Sequence, residues 1–386
     1  MKNFKKNILF FYSFIYFLTC AVPDGRAEEV IRARAIFIGD IMAHKEQIES
    51  AKKPTSEWDF TPQFRRVKPL FMSNNENKNL IVGNLETVFA GSGAGFAGYP
   101  SFNTPDSLAD ALVELGVDVV TLANNHILDR GLSGALRTTE VLDNAGIFWT
   151  GLRKRGEEND AFLQVEQSGL KWAFVNFSYG SNRAPVSGDI SLNIISESSV
   201  IDALSQAKTS DPDIIVACFH WGNEYQYAPT KRQKDTASLA LANGAALVIG
   251  THPHVLQPVE ILNDGLSTSV VAWSLGNFVS HQRTEPRERS VILAVDVEKT
   301  NKSARITRVS VAPTRVSVTK VNGKRKIEVV YAGESPRFNH AGLPKTEVAA
   351  ARKAGKAVLD FLAAQETFDD EGFYTLWEED RDTAKR

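Results

Sequence analysis

The sequence predicts an α/β fold in which helices cover a largely parallel sheet. Five apolar runs rich in β-branched residues each stop at a polar side chain, and helical segments lie between them. Such runs are typical of strands that are buried on both faces. Strands that alternate with helices indicate βαβ units. After residue 280 the pattern changes to alternating polar and apolar residues, which favours an antiparallel β-rich segment.

The elements of the first half follow one another as this fold class requires. One strand ends at Asp40, a second ends just before Glu86, and a third covers residues 117–123. Residues 104–115 are predicted as a helix with a proline near its first turn. Residues 133–145 are predicted as a helix that ends before a glycine.

The second half continues the alternation and then becomes β-rich. Its predicted α/β elements are a strand at 171–177, a helix at 197–207, a strand ending at His220, a helix at 231–243, a strand ending before His252 and a strand at 270–273. The predicted antiparallel strands are 291–297, 304–312, 315–321 and 326–331, and a final amphipathic helix covers 347–364.

The polar residues at the strand ends predict a metal site. Ligands of open α/β sheets collect at the carboxyl ends of the strands. Carboxylate, amide and imidazole groups together suit one or two divalent ions of the Mn, Fe or Zn kind. A carboxylate can bridge two ions about 3.5–4 Å apart. The candidate ligands are Asp40, Glu86, Asn125, His220, His252 and His254.

Each candidate also has a structural interpretation. His252 and His254 flank Pro253, so they can be exposed turn histidines. A Gly-Asp pair such as the one that ends at Asp40 is common in turns. Asn125 can cap the turn that follows it. A buried Glu86 needs a partner, and a metal supplies one.

Four further residues are candidates for catalysis or substrate binding. His126 is placed for proton transfer, and Asp129 three residues later can orient its ring; the alternative is a capping aspartate beside a solvated histidine. Glu224 can contact a substrate ammonium group, act as a base or pair with a cation. Arg283 begins a charged loop, which is usually solvated but can bind an anionic substrate.

The motifs together resemble the bacterial capsule-synthesis CapA family, which is linked to poly-γ-glutamate export or processing. The matching blocks are Gly39-Asp40-Ile41-Met42, Asn84-Leu85-Glu86, Ala123-Asn124-Asn125-His126 with Asp129 and Gly131, His220-Trp221-Gly222-Asn223-Glu224-Tyr225, Gly250-Thr251-His252-Pro253-His254-Val255 with Gln257, and Ser274-Leu275-Gly276-Asn277-Phe278. That family is similar in fold to calcineurin-like metallophosphatases. The resemblance implies a four-layer α/β sandwich with an appended C-terminal β-rich segment and helix.

The resemblance also implies roles for individual residues, although the chain departs from the wider metallophosphatase pattern at two positions. It places His252 on one metal ion and His254 on its neighbour, and it makes His126 a general acid near the leaving group. The wider metallophosphatases carry a histidine two residues after the first aspartate, where this chain has Met42. They also use an aspartate-rich turn where this chain has Glu86. These departures argue against a full two-metal site and simple phosphomonoester hydrolysis.

The N-terminus predicts export. Three lysines precede an apolar stretch at residues 8–22, and Gly25-Arg26-Ala27 resembles a cleavage site. We therefore expect a signal peptide at 1–27, a CapA-like metallophosphatase-fold domain at 28–315 and a C-terminal extension at 316–386. The alternative is an uncleaved membrane anchor, for which the apolar run is short. The mature chain would lie in the periplasm or cell envelope without spanning the membrane.

The expected function is that of a CapA-like exported protein in capsule or poly-γ-glutamate biosynthesis or processing. Its metal site would hydrolyse a phosphoester or a γ-glutamyl amide bond in an anionic polymer, a peptide or a phosphoester substrate. The alternative is a non-catalytic, metal-stabilised module for binding or assembly in a capsule export complex. The formal charge of −2 gives no drive towards nucleic acid.

Overall fold

The computed structural model describes residues 30–73, 77–154, 161–183, 190–301, 303–338 and 340–380. The predicted signal peptide at 1–27 lies outside these residues. The strands are β1 (Ile31–Ile41), β2 (Leu80–Leu85), β3 (Val119–Thr121), β4 (Phe148–Thr150), β5 (Leu152–Lys154), β6 (Leu163–Gln167), β7 (Leu170–Ser178), β8 (Ile190–Leu192), β9 (Ile214–His220), β10 (Leu247–Thr251), β11 (Val259–Asn263), β12 (Thr268–Ala272), β13 (Arg289–Lys299), β14 (Ala304–Val321), β15 (Lys324–Tyr331) and β16 (Tyr374–Glu378). The helices are α1 (Lys45–Ala51), α2 (Thr61–Phe64), α3 (Ser107–Leu115), α4 (Gly131–Ala145), α5 (Glu197–Thr209), α6 (Lys231–Ala242) and α7 (Lys345–Leu362).

Two large sheets form the framework. The first has the order β15-β14-β13-β1-β2-β3-β4, and β16 pairs with β14. Strands β1 to β4 are parallel to one another, whereas β13 runs antiparallel to β1 and begins the antiparallel part. The second sheet has the order β11-β12-β10-β9-β7-β6, with β12, β10, β9 and β7 parallel.

The sheets pack face to face, and helices cover the second sheet from outside. Along β9, Val216 and Cys218 belong to the core shared with the first sheet. The alternate residues Ala217 and Phe219 pack in a separate core with α5 and α6. Both faces of β9 are therefore buried, which explains its uninterrupted apolar sequence. Helices α3 and α4 contribute to the first core, and the predicted α/β sandwich is confirmed.

Capping residues define the start of α6 and the end of α3. Thr230 and Gln233 form a capping box at the start of α6, so two backbone N–H groups gain side-chain partners. Helix α3 ends at Gly116, whose φ of 96° suits glycine. Within the residues that the structure describes, no helix is both long and apolar enough to cross a membrane.

Strand β14 differs from the two strands predicted for this region. It runs unbroken from Ala304 to Val321, although Pro313 lies in its middle. Beside Pro313 the partner strand changes, because β16 pairs as far as Val311 and β15 begins at Thr314. The carbonyl of Pro313 accepts from Ala332, so the missing N–H faces the gap between these partners. The predicted domain boundary at 315 falls inside this strand and stays a prediction.

Candidate metal centre

The first sheet contributes oxygen ligands from neighbouring strands. Asp40 is the penultimate residue of β1, and Glu86 follows the last residue of β2. A register shift between Ile38 and Asp40 interrupts the pairing of β1 with β2 at this end. Asp40 and Glu86 are fully buried, and Asn125 beyond β3 is 3% exposed. The parallel strands thus deliver these three side chains to one edge, as the sequence predicts.

The second sheet contributes the histidines. His220 is the last residue of β9, and it pairs with Thr251 at the end of β10. The ring centroids of His220 and His252 are 4.7 Å apart, and those of His252 and His254 are 5.7 Å apart. His252 and His254 adopt φ values of 95° and 55°, which non-glycine residues rarely do. Such strained backbone is concentrated at functional sites.

Two groups of buried side chains have the geometry of metal ligands. Glu86, His220 and His252 offer ligand atoms within 4.8 Å of one another, and so do Asp40, Glu86 and His254. Glu86 belongs to both groups, as a carboxylate that bridges two ions would. Its Oε1 lies 3.7 Å from the Nε2 atoms of both His220 and His254.

The polar atoms of this cluster fit a divalent cation. Both carboxylate oxygens of Glu86 and the Nδ1 atom of His252 are buried without a hydrogen-bond partner among the described residues. Burial and the neighbouring Asp40 raise the pKa of Glu86 well above its ordinary value. Burial and the other histidines lower the pKa of His220 and bring that of His252 to about 3. A cation would satisfy the orphaned atoms and stabilise the carboxylate beside neutral imidazoles.

Amide side chains hold the candidate ligands in position. Asn84 donates to Asp40 Oδ1 at 2.8 Å. The Nε2 atom of His220, which faces Glu86, lies 2.8 Å from Oδ1 of the candidate ligand Asn125, so these two candidates lie side by side. The Nδ1 atom of His254 lies 3.0 Å from Asn277 Oδ1 and 3.1 Å from Asp40 Oδ2. Hydrogen bonds of this kind fix the orientation of a ligating ring.

His126 and Asp129 form a pair beside the two ligand groups. The Nδ1 atom of His126 lies 2.8 Å from Asp129 Oδ2, which also accepts the backbone N–H of Phe102 at 2.7 Å. The other ring nitrogen lies 4.0 Å from Glu86 Oε1. The ring of Phe102 packs edge-on against His126 at 4.7 Å. The histidine is therefore fixed in orientation, with one nitrogen directed towards the cluster.

The two predicted substrate contacts lie in different surroundings. Glu224 is exposed and, with His252, lines a cavity of about 470 Å³ next to the ligand groups. Arg283 is also exposed, and its guanidinium donates to the carbonyl of Val316 in β14 at 3.2 Å. From the same loop, Arg287 lies against Tyr225 near His254. Both roles stay predictions, as do the roles of the candidate ligands and of His126 and Asp129.

Several residues at the site were not proposed from the sequence. Asn84 and Asn277 lie within quoted motifs, so a signal was present, but amides carry no charge pattern that distinguishes them from turn residues. Tyr179 packs 4.6 Å from the ring of His252, and burial raises its pKa to about 12. Met42 is buried, and the Nδ1 atom of His44 accepts the backbone N–H of His281. Among the described residues His44 belongs to neither ligand group.

Comparison with known proteins identifies the family. The family described as bacterial capsule synthesis protein PGA_cap matches residues 34–282, which is more than half of the chain. The chain belongs to this PGA_cap family. The matched segment contains both candidate ligand groups and the His126–Asp129 pair. The predicted membership is therefore confirmed.

Two curated proteins are similar to this PGA_cap chain. The capsule biosynthesis protein CapA of Bacillus anthracis is 26% identical over 275 residues, which are 68% of this chain and 64% of that protein. The PGA biosynthesis protein CapA of Bacillus subtilis (strain 168) is 27% identical over 265 residues, 67% of this chain and 66% of that protein. The chain thus spans slightly less than two thirds of each relative. A putative 5'-nucleotidase from Staphylococcus aureus gives a TM-score of 0.47 at 14% identity, covering 85% of this chain and 59% of that one.

Proposed function

We propose that this chain is an exported, metal-dependent hydrolase that processes an anionic polymer in capsule or poly-γ-glutamate synthesis. The bond cleaved is a γ-glutamyl amide or a phosphoester. The observation that carries the proposal is the pair of buried ligand groups that share Glu86. Two relatives named for capsule and PGA biosynthesis support the choice of polymer and of capsule machinery as a partner.

The candidate residues divide into ligands and a proton donor. When bound, Mn, Fe or Zn ions would supply Lewis acidity and lower the pKa of a water molecule. Asp129 orients His126 through its Nδ1 atom, so that Nε2, on the side of Glu86, can give a proton to a leaving group. The residues that would hold the ions are Asp40, Glu86, Asn125, His220, His252 and His254.

A second candidate function is non-catalytic. A buried metal cluster can stabilise a module that binds an anionic polymer or assembles an export complex, because a fold does not by itself determine activity. The residue that favours this alternative is Met42, which stands where the wider metallophosphatases are expected to carry a histidine.

Metal analysis followed by turnover assays tests the proposal. We expect bound Mn, Fe or Zn in the wild type and reduced stoichiometry or affinity in the His252→Ala variant, measured by elemental analysis. The metal-loaded wild type is then assayed on bis(p-nitrophenyl) phosphate and on γ-glutamyl oligopeptides. Unchanged metal binding in the variant contradicts the ligand assignment. Metal binding without turnover of any such substrate supports the non-catalytic module.

The location has its own test. Export with cleavage after Ala27 predicts a mature chain that begins at Glu28. The intact mass of the protein isolated from the cell envelope measures this directly. A mature form that retains residues 1–27 would support an uncleaved anchor.

A further inference from the structure

Arg287 lies at the edge of the candidate metal centre, with its guanidinium over an aromatic ring. The guanidinium carbon is 3.4 Å from the centroid of the Tyr225 ring. The ring centroids of Tyr225 and His254 are in turn 6.2 Å apart. A cation at this distance from an aromatic face is held by the ring quadrupole and by stacking.

Both members of this stack are tied to the histidine turn. The backbone N–H of Tyr225 donates to the carbonyl of Pro253, between the two candidate ligands, at 2.7 Å. The carbonyl of Arg287 accepts from Asn277 Nδ2 at 3.0 Å, and Oδ1 of the same asparagine lies 3.0 Å from His254 Nδ1. The position of the guanidinium is therefore coupled to that of His254 rather than set by a free loop.

The charge of Arg287 is not neutralised by a neighbour. Among the described residues its guanidinium makes no ion pair and no hydrogen bond with a carboxylate, and the contact it makes is with the face of the Tyr225 ring. Two arginines at paired positions of β13 and β14 each have a carboxylate partner, because Arg289 binds Glu285 and Arg315 lies 2.8 Å from Glu347. Stacking uses the flat face of a guanidinium and leaves its N–H groups, which lie in the plane, free for a carboxylate.

We propose that Arg287, stacked on Tyr225, binds a carboxylate of the substrate next to the bond presented to the candidate metal centre. The inference rests on the proposed role in poly-γ-glutamate processing. In a γ-linked glutamate chain, the α-carboxylate is attached to the carbon that carries the amide nitrogen. Every γ-glutamyl amide therefore has an α-carboxylate a few bonds away. The guanidinium of Arg287, stacked on Tyr225 near His254, is placed to bind it. Arg287 thus selects γ-linked chains that keep a free α-carboxylate.

A pair of matched ligands tests this assignment. The first is tetra-γ-glutamate, and the second is the same peptide with each α-carboxylate replaced by a carboxamide. Their dissociation constants are measured by calorimetry with the metal-loaded full chain and its Arg287→Gln, Arg287→Lys and Arg305→Gln variants. Arg305→Gln is the control because this arginine is exposed and pairs with Glu298 and Glu379 at the end of the first sheet opposite to Asp40. Metal content and melting temperature report whether each variant remains intact.

We expect the wild type and Arg305→Gln to prefer the carboxylate peptide by about 10- to 100-fold, the usual worth of a hydrogen-bonded charge. In Arg287→Gln this ratio should fall to near one, and Arg287→Lys should recover part of it because lysine keeps the charge but not the planar fork. A wild type without preference, a preference that survives in Arg287→Gln, or an equal loss in Arg305→Gln overturns the inference.

Hydrolysis of the two peptides is followed in parallel and separates this inference from the proposed function. A preference that depends on Arg287 without any cleavage supports the binding role and refutes hydrolysis of this amide. Cleavage of both peptides at equal rates in wild type and Arg287→Gln supports the hydrolase and refutes the role of Arg287.

Discussion

Replacing Glu86 by glutamine should have opposite effects on stability with and without metal. The carboxyl group is completely buried, and neither of its oxygens has a hydrogen-bond partner among the residues that the structure describes. Asp40 adds a second negative charge nearby. Without metal, the wild type must either bury this charge or hold a proton, whereas glutamine has nearly the same shape and no charge. We therefore expect the metal-free Glu86→Gln variant to be at least as stable as the wild type.

The raised pKa of Glu86 determines how the stability difference between the metal-free wild type and Glu86→Gln changes with pH. Burial raises the pKa of Glu86 above its ordinary value of 4.5. Below pH 4.5 the folded and unfolded states are both protonated at this group, so it costs nothing. As the pH rises from there towards the folded pKa, the metal-free wild type loses about 1.4 kcal/mol per pH unit from this group. The variant lacks this loss, so its advantage should grow with pH.

Bound metal should reverse this order of stability and make the wild type more stable than the Glu86→Gln variant. An ion present at about 100 times its dissociation constant stabilises the folded state by about 2.7 kcal/mol. The wild type should gain this amount, but the Glu86→Gln variant should gain little, since the residue shared by both ligand groups is lost. The free energy of unfolding is measured by urea titration at pH 5 and pH 8, after chelation and again with Mn²⁺ or Zn²⁺ added, with tryptophan fluorescence as the signal.

Glu328→Gln serves as the matched control. Glu328 is also buried, but its Oε1 lies 2.9 Å from Arg66 and 2.9 Å from Lys326. Its replacement should lower the free energy of unfolding by about 1–3 kcal/mol in the metal-free protein and leave the gain from metal unchanged. If metal-free Glu86→Gln is as destabilised as Glu328→Gln, or if it keeps the full gain from metal, the reasoning about Glu86 is wrong.

Three further predictions concern the proposed proton donor His126, the packing around Gly39 and the thiol of Cys218. The His126→Ala variant should retain its metal by elemental analysis but lose about 10²–10⁴ in turnover on any substrate found; loss of the metal would make the ring a ligand instead. Gly39→Ala should destabilise the protein by about 1–3 kcal/mol in urea titration, because its Cβ would lie 1.9 Å from the carbonyl oxygen of Gly276, whereas Gly93→Ala meets open space and should not. Burial raises the pKa of Cys218 to about 12, so in a variant whose other cysteine is serine, Ellman's reagent at pH 8 should react only as the protein unfolds; rapid stoichiometric labelling of the native state would contradict this.

The strand ends explain why so much of the site could be predicted. An apolar run that is buried on both faces leaves a clear pattern, and the residue at which it stops is visible without any knowledge of packing. His220 is the last residue of β9, and Glu86 directly follows β2, as that pattern predicts. Parallel strands then bring their carboxyl ends to one edge, so the approximate grouping of the candidate ligands needs no further information.

The remainder depends on contacts between distant parts of the chain. Asn277 belongs to the site because its Oδ1 atom lies within hydrogen-bond distance of His254 Nδ1. No local sequence pattern distinguishes this asparagine from one in an ordinary turn. The sequence predicts a substrate contact at Arg283 in the charged loop, and only the packing of Tyr225 beside His254 also points to Arg287. The sequence predicts two strands, 304–312 and 315–321, where β14 is continuous, and the change of partner strand that accommodates Pro313 is a tertiary feature.

The position of β1 has a consequence for how the protein is made. This strand is the first one in the described part of the chain, yet Ile31 pairs with Lys299 and Phe37 with Leu293 across its antiparallel edge. During synthesis that edge stays open until β13 has left the ribosome, so a nascent chain ending at residue 282 would present unpaired N–H and C=O groups to its neighbours. Such long-range pairing is slow and leaves intermediates prone to aggregation. We therefore expect that residues 34–282 alone would aggregate unless a chaperone or a peptide corresponding to β13 is added.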